Sequence, residues 1–228
     1  MHRPFIVAIL LTLTPGVRAA GTEQSKGASI RLFSVALLNN QGPMCVQVGK
    51  TRNAPFDLSA TCLTETQSVS TRDFMLVSAA SAADAPPVPL ATVRLPDQGS
   101  DFRIILVPTS NNSYNPVVVR GDDPKFSRGD FFFINFSTSQ MLGALGTTRL
   151  DLKPGGQEIV SPAGGNDKFF EVKFARRQDD KLLPLTNTCW PVVRDNRSFV
   201  IFYNGSNGRP TYRAVDEFMA LTNIAGNP

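Results

Sequence analysis

The sequence predicts an all-β protein made of two tandem β-sandwich domains, and three observations support this. Short apolar segments recur roughly every 8 to 12 residues with Gly, Pro or Asn between them, a spacing typical of sandwiches and barrels. Only residues 216–222 have the apolar spacing of a helix, so at most one short C-terminal helix is expected. The third observation is an internal repeat of domain size.

Three pairs of segments carry the repeat: 49–52 with 146–149, 101–105 with 198–202, and Pro116 plus Asp122-Asp123 with Pro210 plus Asp216-Glu217. The first two pairs are 97 positions apart and the third is 94 apart, so the second copy lacks about one hairpin turn of chain. The polar stretch 120–130 separates the copies. We therefore expect β-sandwich domains at residues 30–127 and 128–228.

The first nineteen residues have the composition of a secretory signal. A basic start at Arg3 precedes an apolar run of about ten residues, then Pro15-Gly16, then small residues that suit cleavage after Ala19. The run is shorter than the roughly 20 residues that span a bilayer. We expect residues 1–19 to be a signal peptide, residues 20–29 a flexible leader, and the product secreted or periplasmic with no membrane span.

The expected strands of each copy follow from apolar runs between turn signals. In the first copy they are 30–38, 44–48, 74–77, 88–95, 102–107 and 117–119. In the second copy they are 131–136, 142–145, 149–152, 159–160, 169–174, 181–185, 199–203 and 212–215. The protein has 16 Phe but one Trp and three Tyr, which indicates Phe-rich cores.

The strongest functional signal is a missing imidazole. His2 is the sole histidine, and it lies in the segment expected to be removed. Catalysis by Ser-His-Asp or Cys-His needs an imidazole base, so both are excluded for the exported chain. Histidine-based zinc sites are excluded as well. We expect no catalytic, cofactor-binding or metal-binding residues, although a hydrolase using paired carboxylates remains an alternative.

Charge gives no reason to expect nucleic acid as a partner. The net charge is +4, and removal of Arg3 and Arg18 with the signal leaves +2. Acidic and basic residues are interspersed, without the basic stripe that nucleic acid binding requires.

Three cysteines remain in the exported chain: Cys45, Cys62 and Cys189. In an oxidising compartment Cys45 and Cys62 could form a disulfide, because they lie in the same copy. Geometry could equally forbid the bond, since it needs Cα atoms within about 7 Å. Cys189 is then expected to be a lone buried thiol.

Exposed aromatic side chains could bind a ligand, and the candidates are Tyr114, Tyr212 and Trp190, with Tyr114 and Tyr212 in matching hairpins. A carbohydrate-binding module is therefore a second alternative. At the domain junction, Asp122, Asp123 and Asp130 could bind calcium, but the ligand set looks small and a hairpin-end role is the simpler interpretation. The two Arg-Gly-Asp triplets in this stretch are interpreted as turn chemistry.

The second copy resembles a known group of proteins. It has a strand at 132–137, then Gly146, Arg149, Leu152 and Pro154-Gly155, then a strand at 199–202 and a hairpin at 212–215. This layout resembles uncharacterised exported bacterial proteins of the Verrucomicrobia type, built from immunoglobulin-like sandwiches. The resemblance is clearest over residues 128–218 and weaker over 30–127. It implies an exported sandwich protein and no particular activity.

Together these observations predict a secreted or periplasmic, non-catalytic binding or structural module of the cell envelope. Its partner would be an envelope protein or glycan, and free sheet edges could accept an added strand. The alternatives are a carboxylate-dependent envelope hydrolase or enzyme subunit, and a carbohydrate-binding module.

Overall fold

The computed structural model of this protein describes residues 27–79, 86–179 and 181–219. These residues form sixteen strands in four four-stranded sheets and no helix, so the prediction of tandem β-sandwiches is confirmed. Among the same residues, no helix is long and apolar enough to cross a membrane. The expected signal peptide lies outside this part of the chain.

Eight strands form the first half: β1 (Ala28–Ser34), β2 (Met44–Val48), β3 (Thr51–Arg52), β4 (Gln67–Val69), β5 (Asp73–Ser78), β6 (Pro89–Arg94), β7 (Asp101–Pro108) and β8 (Tyr114–Arg120). Sheet 1 has the order β4-β1-β7-β8 and sheet 2 the order β3-β2-β5-β6. Strands β1 and β7 are parallel, whereas the other pairs in these sheets are antiparallel.

Eight more strands form the second half: β9 (Phe131–Asn135), β10 (Met141–Leu145), β11 (Thr148–Leu152), β12 (Gln157–Val160), β13 (Phe169–Gln178), β14 (Lys181–Pro191), β15 (Asn196–Asn204) and β16 (Pro210–Phe218). Sheet 3 has the order β12-β9-β15-β16 and sheet 4 the order β11-β10-β13-β14. This is the topology of the first half repeated strand for strand, including the parallel pair β9 and β15.

Several local features repeat along with the topology. Gly49 and Gly146 each occupy the two-residue turn between equivalent strands, and both have φ of 58°. A left-handed residue is what such a hairpin turn requires, and glycine adopts it without a Cβ clash. Irregular register also recurs, after Leu76 in β5 and after Phe174 in β13.

Strand pairing corrects the expected offset of the repeat in β7 and β15. Ser100 faces Asp122 across the first hairpin, and Ser198 faces Asp216 across the second; the serines are 98 positions apart and the aspartates 94. The offset in β7 and β15 is therefore 98 rather than 97. Because side chains alternate between the two faces of a strand, a one-residue error in aligning the repeats assigns every side chain to the wrong face. Phe102 therefore corresponds to Val200 and not to Phe199.

The four sheets stack in the order 2, 1, 3, 4. Three apolar clusters lie between them: one inside each sandwich and one between sheets 1 and 3. Phe33 and Ile105 of sheet 1 meet Phe132 and Phe199 of sheet 3 in the middle cluster, and Phe126 of the connecting stretch packs there too. The two halves therefore share a dry layer.

This layering explains why the central strands read as unbroken apolar runs. In β7 the residues from Phe102 to Leu106 are all buried, because one face packs inside the first sandwich and the other against sheet 3. The outlying β13 instead alternates buried and exposed residues between Phe169 and Phe174, since its sheet has one face in solvent.

Both ends of the described chain are strands. At most one short helix is expected over residues 216–222, and the described part of that segment continues β16 up to Phe218, where Val215 and Glu217 are buried and Asp216 and Phe218 are exposed. Pairing with β15 imposes this two-residue period; residues 220–222 lie outside the described part. The expected leader ends earlier than residue 29, because β1 begins at Ala28.

Candidate functional site

A cleft of about 470 Å³ opens at one end of the second sandwich, where sheets 3 and 4 diverge. Sheet 3 contributes Phe131, Ser198, Ala214 and Asp216. The other wall consists of Phe170 of β13, the end of β14 with the residues after it (Trp190–Arg194), and the loop at residues 162–166. The cleft thus draws on five strands of one sandwich and on the segments that connect them.

Aromatic rings form the apolar floor of the cleft. The Trp190 indole stacks on Phe131 with ring centroids 5.6 Å apart and packs edge-on against Phe170 at 6.4 Å. Both partners belong to the core cluster of the second sandwich or pack against it. The floor is therefore the exposed end of a rigid core rather than a mobile surface ring.

The glycine-rich loop at 163–165 is fixed by close backbone contacts. The Thr147 amide donates to the Ala163 carbonyl at 2.6 Å, so the turn at Gly146 is bonded to the loop. A Cβ on Gly165 would lie 2.9 Å from the Cβ of Phe170. Glycine is required for this close approach, and the loop is held as a wall of the cleft.

Asp216 supplies the negative charge of the cleft. Its Oδ1 accepts a hydrogen bond of 2.6 Å from the Ser198 hydroxyl, and its side chain is exposed. Arg194 also lines the cleft, but its guanidinium lies 3.5 Å from the Asp167 carboxylate. Arg194 and Asp167 therefore form an ion pair, whereas Asp216 has no ion pair within the part of the chain that the structure describes.

The equivalent position in the first half is occupied differently. There Asp122 accepts from the Ser100 amide at 2.7 Å and also from Arg120 Nε at 3.2 Å. By the strand register Arg120 corresponds to Ala214, because Arg120 faces Phe102 and Ala214 faces Val200. Serine and aspartate are therefore kept in both halves, whereas the arginine is replaced by alanine in the second.

This arrangement changes the titration of Asp122. Partial burial raises the pKa of Asp122, but the hydrogen bonds from Ser100 and Arg120 and the charge of Arg120 lower it further, so the net pKa is below the ordinary value. Asp122 is thus held as an anion by an internal guanidinium.

The edges of the two sandwiches also differ. In the first half the edge strands β6 and β8 approach each other and close the side of the sandwich. The backbones of the equivalent strands β14 and β16 do not come as close, although their Trp190 and Tyr212 rings pack with centroids 6.1 Å apart, and the cleft opens beside them at Trp190 and Asp216. The cleft is therefore a difference between two otherwise repeated units.

A second polar cluster lies buried between the two halves. Glu217 of β16 is 2% exposed and contacts three arginines: Arg31 at 3.2 Å, Arg103 at 2.5 Å and Arg197 at 2.8 Å. Arg31 and Arg103 belong to the first half. Arg103 also binds Asp101 at 2.6 Å.

The surroundings of Glu217 fix its protonation state. Burial raises its pKa, but the hydrogen bond and charge of Arg103, followed by those of Arg197, lower it by more, so the net pKa is below the ordinary value. Arg197 further donates to the carbonyls of Gly121 and Phe126, and its guanidinium lies 4.6 Å from the centre of the Phe126 ring. This cluster therefore joins the two halves and the stretch between them.

The structure separates the three aromatic residues singled out from the sequence. Tyr114 is 4% exposed; its hydroxyl accepts from the Leu38 amide and donates to Gln41, so it does not face a ligand. Tyr212 is half-buried against Phe174. Trp190 alone of the three lines the cleft. The two tyrosines share equivalent strands but not equivalent positions, since Pro116 corresponds to Pro210.

The possible disulfide between Cys45 and Cys62 is not formed in the structure. Cys45 is a buried free thiol in sheet 2, whereas Cys62 is an exposed free thiol beside sheet 1, where the next residues pair with β1. Cys189 is also free and is exposed rather than buried, because it points outward from the edge strand β14.

The junction carboxylates are bound by protein donors. Asp130 accepts from the Ser127 amide at 2.7 Å and from the Ser161 hydroxyl, while Asp123 accepts from the Lys125 amide. In the two Arg-Gly-Asp triplets, Arg120 pairs with Asp122, and Arg128 lies 3.8 Å from Asp195. Within the described residues, no group of three or more His, Cys, Asp or Glu is arranged to hold a metal ion.

Sequence reasoning noticed Asp216 and Glu217 only as a repeat of Asp122-Asp123. The same 94-position offset aligns Arg120 with Ala214, so the loss of the arginine was visible in the sequence. The buried role of Glu217 was not visible in the sequence. Its arginine partners lie on strands in which apolar runs do not show which face is turned inward.

No protein-family model matches this chain. No curated protein matches it either.

Proposed function

We propose that this protein is a secreted or periplasmic, non-catalytic binding module of the cell envelope, and that it binds through the cleft of the second sandwich. The observation that carries the proposal is the cleft itself, with an aromatic floor at Trp190 and Phe131 and a carboxylate at Asp216. Its volume of about 470 Å³ lies within the range of ligand sites. An exported location remains an expectation from the N-terminal sequence.

The chemistry of the acids favours binding over hydrolysis. A general acid needs a raised pKa, whereas hydrogen bonds from Ser100 and Arg120 lower the pKa of Asp122, and Arg103 and Arg197 lower that of Glu217. The Ser198 hydroxyl holds the Asp216 carboxylate in place through a hydrogen bond. A carbohydrate platform is less favoured, because Tyr114 and Tyr212 pack inward rather than forming an exposed row.

The proposal is tested by capture of envelope proteins and cell-wall glycans on the immobilised chain. Ala214→Trp fills the cleft, because Ala214 is a small exposed residue on its wall. Thr92→Trp is the matched control, since Thr92 is exposed on β6 in the other sandwich. We expect Ala214→Trp to lose the captured component and Thr92→Trp to retain it.

Two results would contradict the proposal. Equal capture by Ala214→Trp and the wild-type chain would show that the cleft is not the binding site. Release of the captured component in a cleaved form, measured by mass, would show that the protein is a hydrolase.

A further inference from the structure

We propose that the cleft binds an organic cation, a guanidinium or ammonium group on an apolar stem, in the place that Arg120 fills in the first half. This inference rests on the proposed function and names the ligand class of the same cleft. It is carried by the internal repeat, because the first half contains its own cation at the equivalent place.

The first step is the serine and aspartate pair that both halves of the chain contain. Ser100 and Asp122 hold the position beside Arg120, and Ser198 and Asp216 hold the same position in the second half. In the first half the acceptor oxygens of Asp122 are shared between Ser100 and Arg120. In the second half, the described residues give Asp216 one hydrogen bond, to Oδ1 from Ser198. The Oδ2 atom is available for a donor from a ligand.

The second step is the space left by the shorter side chain. Arg120 corresponds to Ala214, which is exposed and lines the cleft. An arginine at this place in the first half reaches Asp122 at 3.2 Å. A cationic side chain or small molecule entering the cleft would meet Asp216 from the same side. Charge-assisted hydrogen bonds of this kind are the strong ones.

The third step is the aromatic floor. The positions equivalent to Phe131 and Trp190 are Ala28 and Leu95, as the pairing of β1 with β7 and the Leu95 amide bond to Arg72 show. The second half thus has two large rings where the first has small or aliphatic side chains. Rings beside a carboxylate suit a cation with a methylene stem, through apolar contact and attraction to the ring face.

The shared chemistry has two sources, a basic side chain of a peptide and a free small cation. Calorimetric titration of the full chain separates them with four probes: N-acetyl-argininamide, N-acetyl-lysinamide, spermidine and a short arginine-containing peptide. N-acetyl-citrullinamide is the matched neutral probe. We expect the arginine probe to bind at least about tenfold more tightly than the citrulline probe, because a charge-assisted hydrogen bond is lost. Tighter binding of the peptide identifies a protein source, and tighter binding of spermidine a small cation; either supports the proposal.

Two variants test the residues. Asp216→Asn should weaken cation binding by about tenfold or more, whereas Asp122→Asn should leave it unchanged, because Arg120 already occupies that place. Ala214→Arg should abolish binding by restoring the internal arginine of the first half. Its thermal midpoint should equal or exceed that of the wild type, which shows that it folds.

The outcomes separate this inference from the proposed function. Equal affinity for the arginine and citrulline probes, or unchanged cation binding in Asp216→Asn, overturns the cation assignment. If Ala214→Trp still abolishes envelope capture in that case, the cleft remains the binding site for a ligand of another class. If Ala214→Trp captures normally, the proposed function fails as well.

Discussion

Arg103 in the first half and Glu217 in the second form a buried ion pair in which Nη2 and Nε of the arginine lie 2.5 and 2.7 Å from Oε1. Both side chains are less than 10% exposed. With Arg31 and Arg197 also in contact, three guanidinium groups share one glutamate. The two sandwiches are therefore joined by charge at one place and by phenylalanine packing elsewhere.

Loss of the Glu217 charge should destabilise the protein strongly. Glu217→Gln leaves three arginines at the junction without their shared anion, and breaking a buried pair costs about 3 to 5 kcal/mol. The free energy of unfolding in urea measures this. The matched control is Asp123→Asn, because Asp123 corresponds to Glu217 in the first half but is only half-buried, and asparagine keeps the oxygen that accepts from the Lys125 amide. It should change stability by less than about 0.5 kcal/mol. Equal effects of the two substitutions would show that the junction contributes no specific stability.

The same glutamate predicts an acid-sensitive junction. The pKa of Glu217 is lower in the folded than in the unfolded protein, where it is about 4.3. A lowered folded pKa gives stability that is fully present above the unfolded pKa and is lost as pH falls through the folded pKa. The thermal midpoint of unfolding should thus begin to decrease once the pH is lowered below about 5. The decrease should be steeper in the wild type than in Glu217→Gln. Parallel curves would contradict this.

The sequence predicted the strands well where local patterning decides them. Turn residues and apolar runs placed β7, β9, β13 and β15 within a few residues of their observed bounds. The glycine turns at Gly49 and Gly146 were recognised as equivalent, because a left-handed turn residue leaves a direct mark on the sequence.

The stacking of the two sandwiches could not be predicted in the same way. In β15 both Phe199 and Val200 are apolar, so alternation does not reveal which faces its own sandwich and which faces the other half. For the same reason the repeat in this strand was aligned one residue out of register. The cleft depends on that facing, since Ser198 and Asp216 reach it only when Val200 points into the second core.

The three cysteines should be distinguishable by reactivity. Cys62 and Cys189 are exposed free thiols and should react with a maleimide in the native protein, whereas buried Cys45 should react only after unfolding. Mass counting of labels should thus give two before and three after denaturation. Cys45→Ser serves as the control, with two labels under both conditions. If the denatured chain took up only one label, the other two thiols would already be joined in a disulfide.

The equivalent glycines Gly49 and Gly146 should respond very differently to alanine, because only the second turn supports the cleft. Both have φ of 58°, so alanine introduces similar backbone strain, of about 1 kcal/mol. A Cβ on Gly49 meets nothing within 4 Å, whereas a Cβ on Gly146 would overlap the Ala163 carbonyl oxygen. Gly146→Ala must therefore displace the loop that forms the cleft wall.

We expect Gly49→Ala to lower the free energy of unfolding by about 1 kcal/mol and to leave binding in the cleft unchanged. Gly146→Ala should cost more stability and also weaken envelope capture, because the Thr147 to Ala163 hydrogen bond cannot be kept. Urea unfolding and the capture assay, applied to both variants, provide the comparison. If the two alanines had equal effects on both measurements, the loop would not depend on the turn, and the cleft wall would have to be held by its contacts with Phe170 instead.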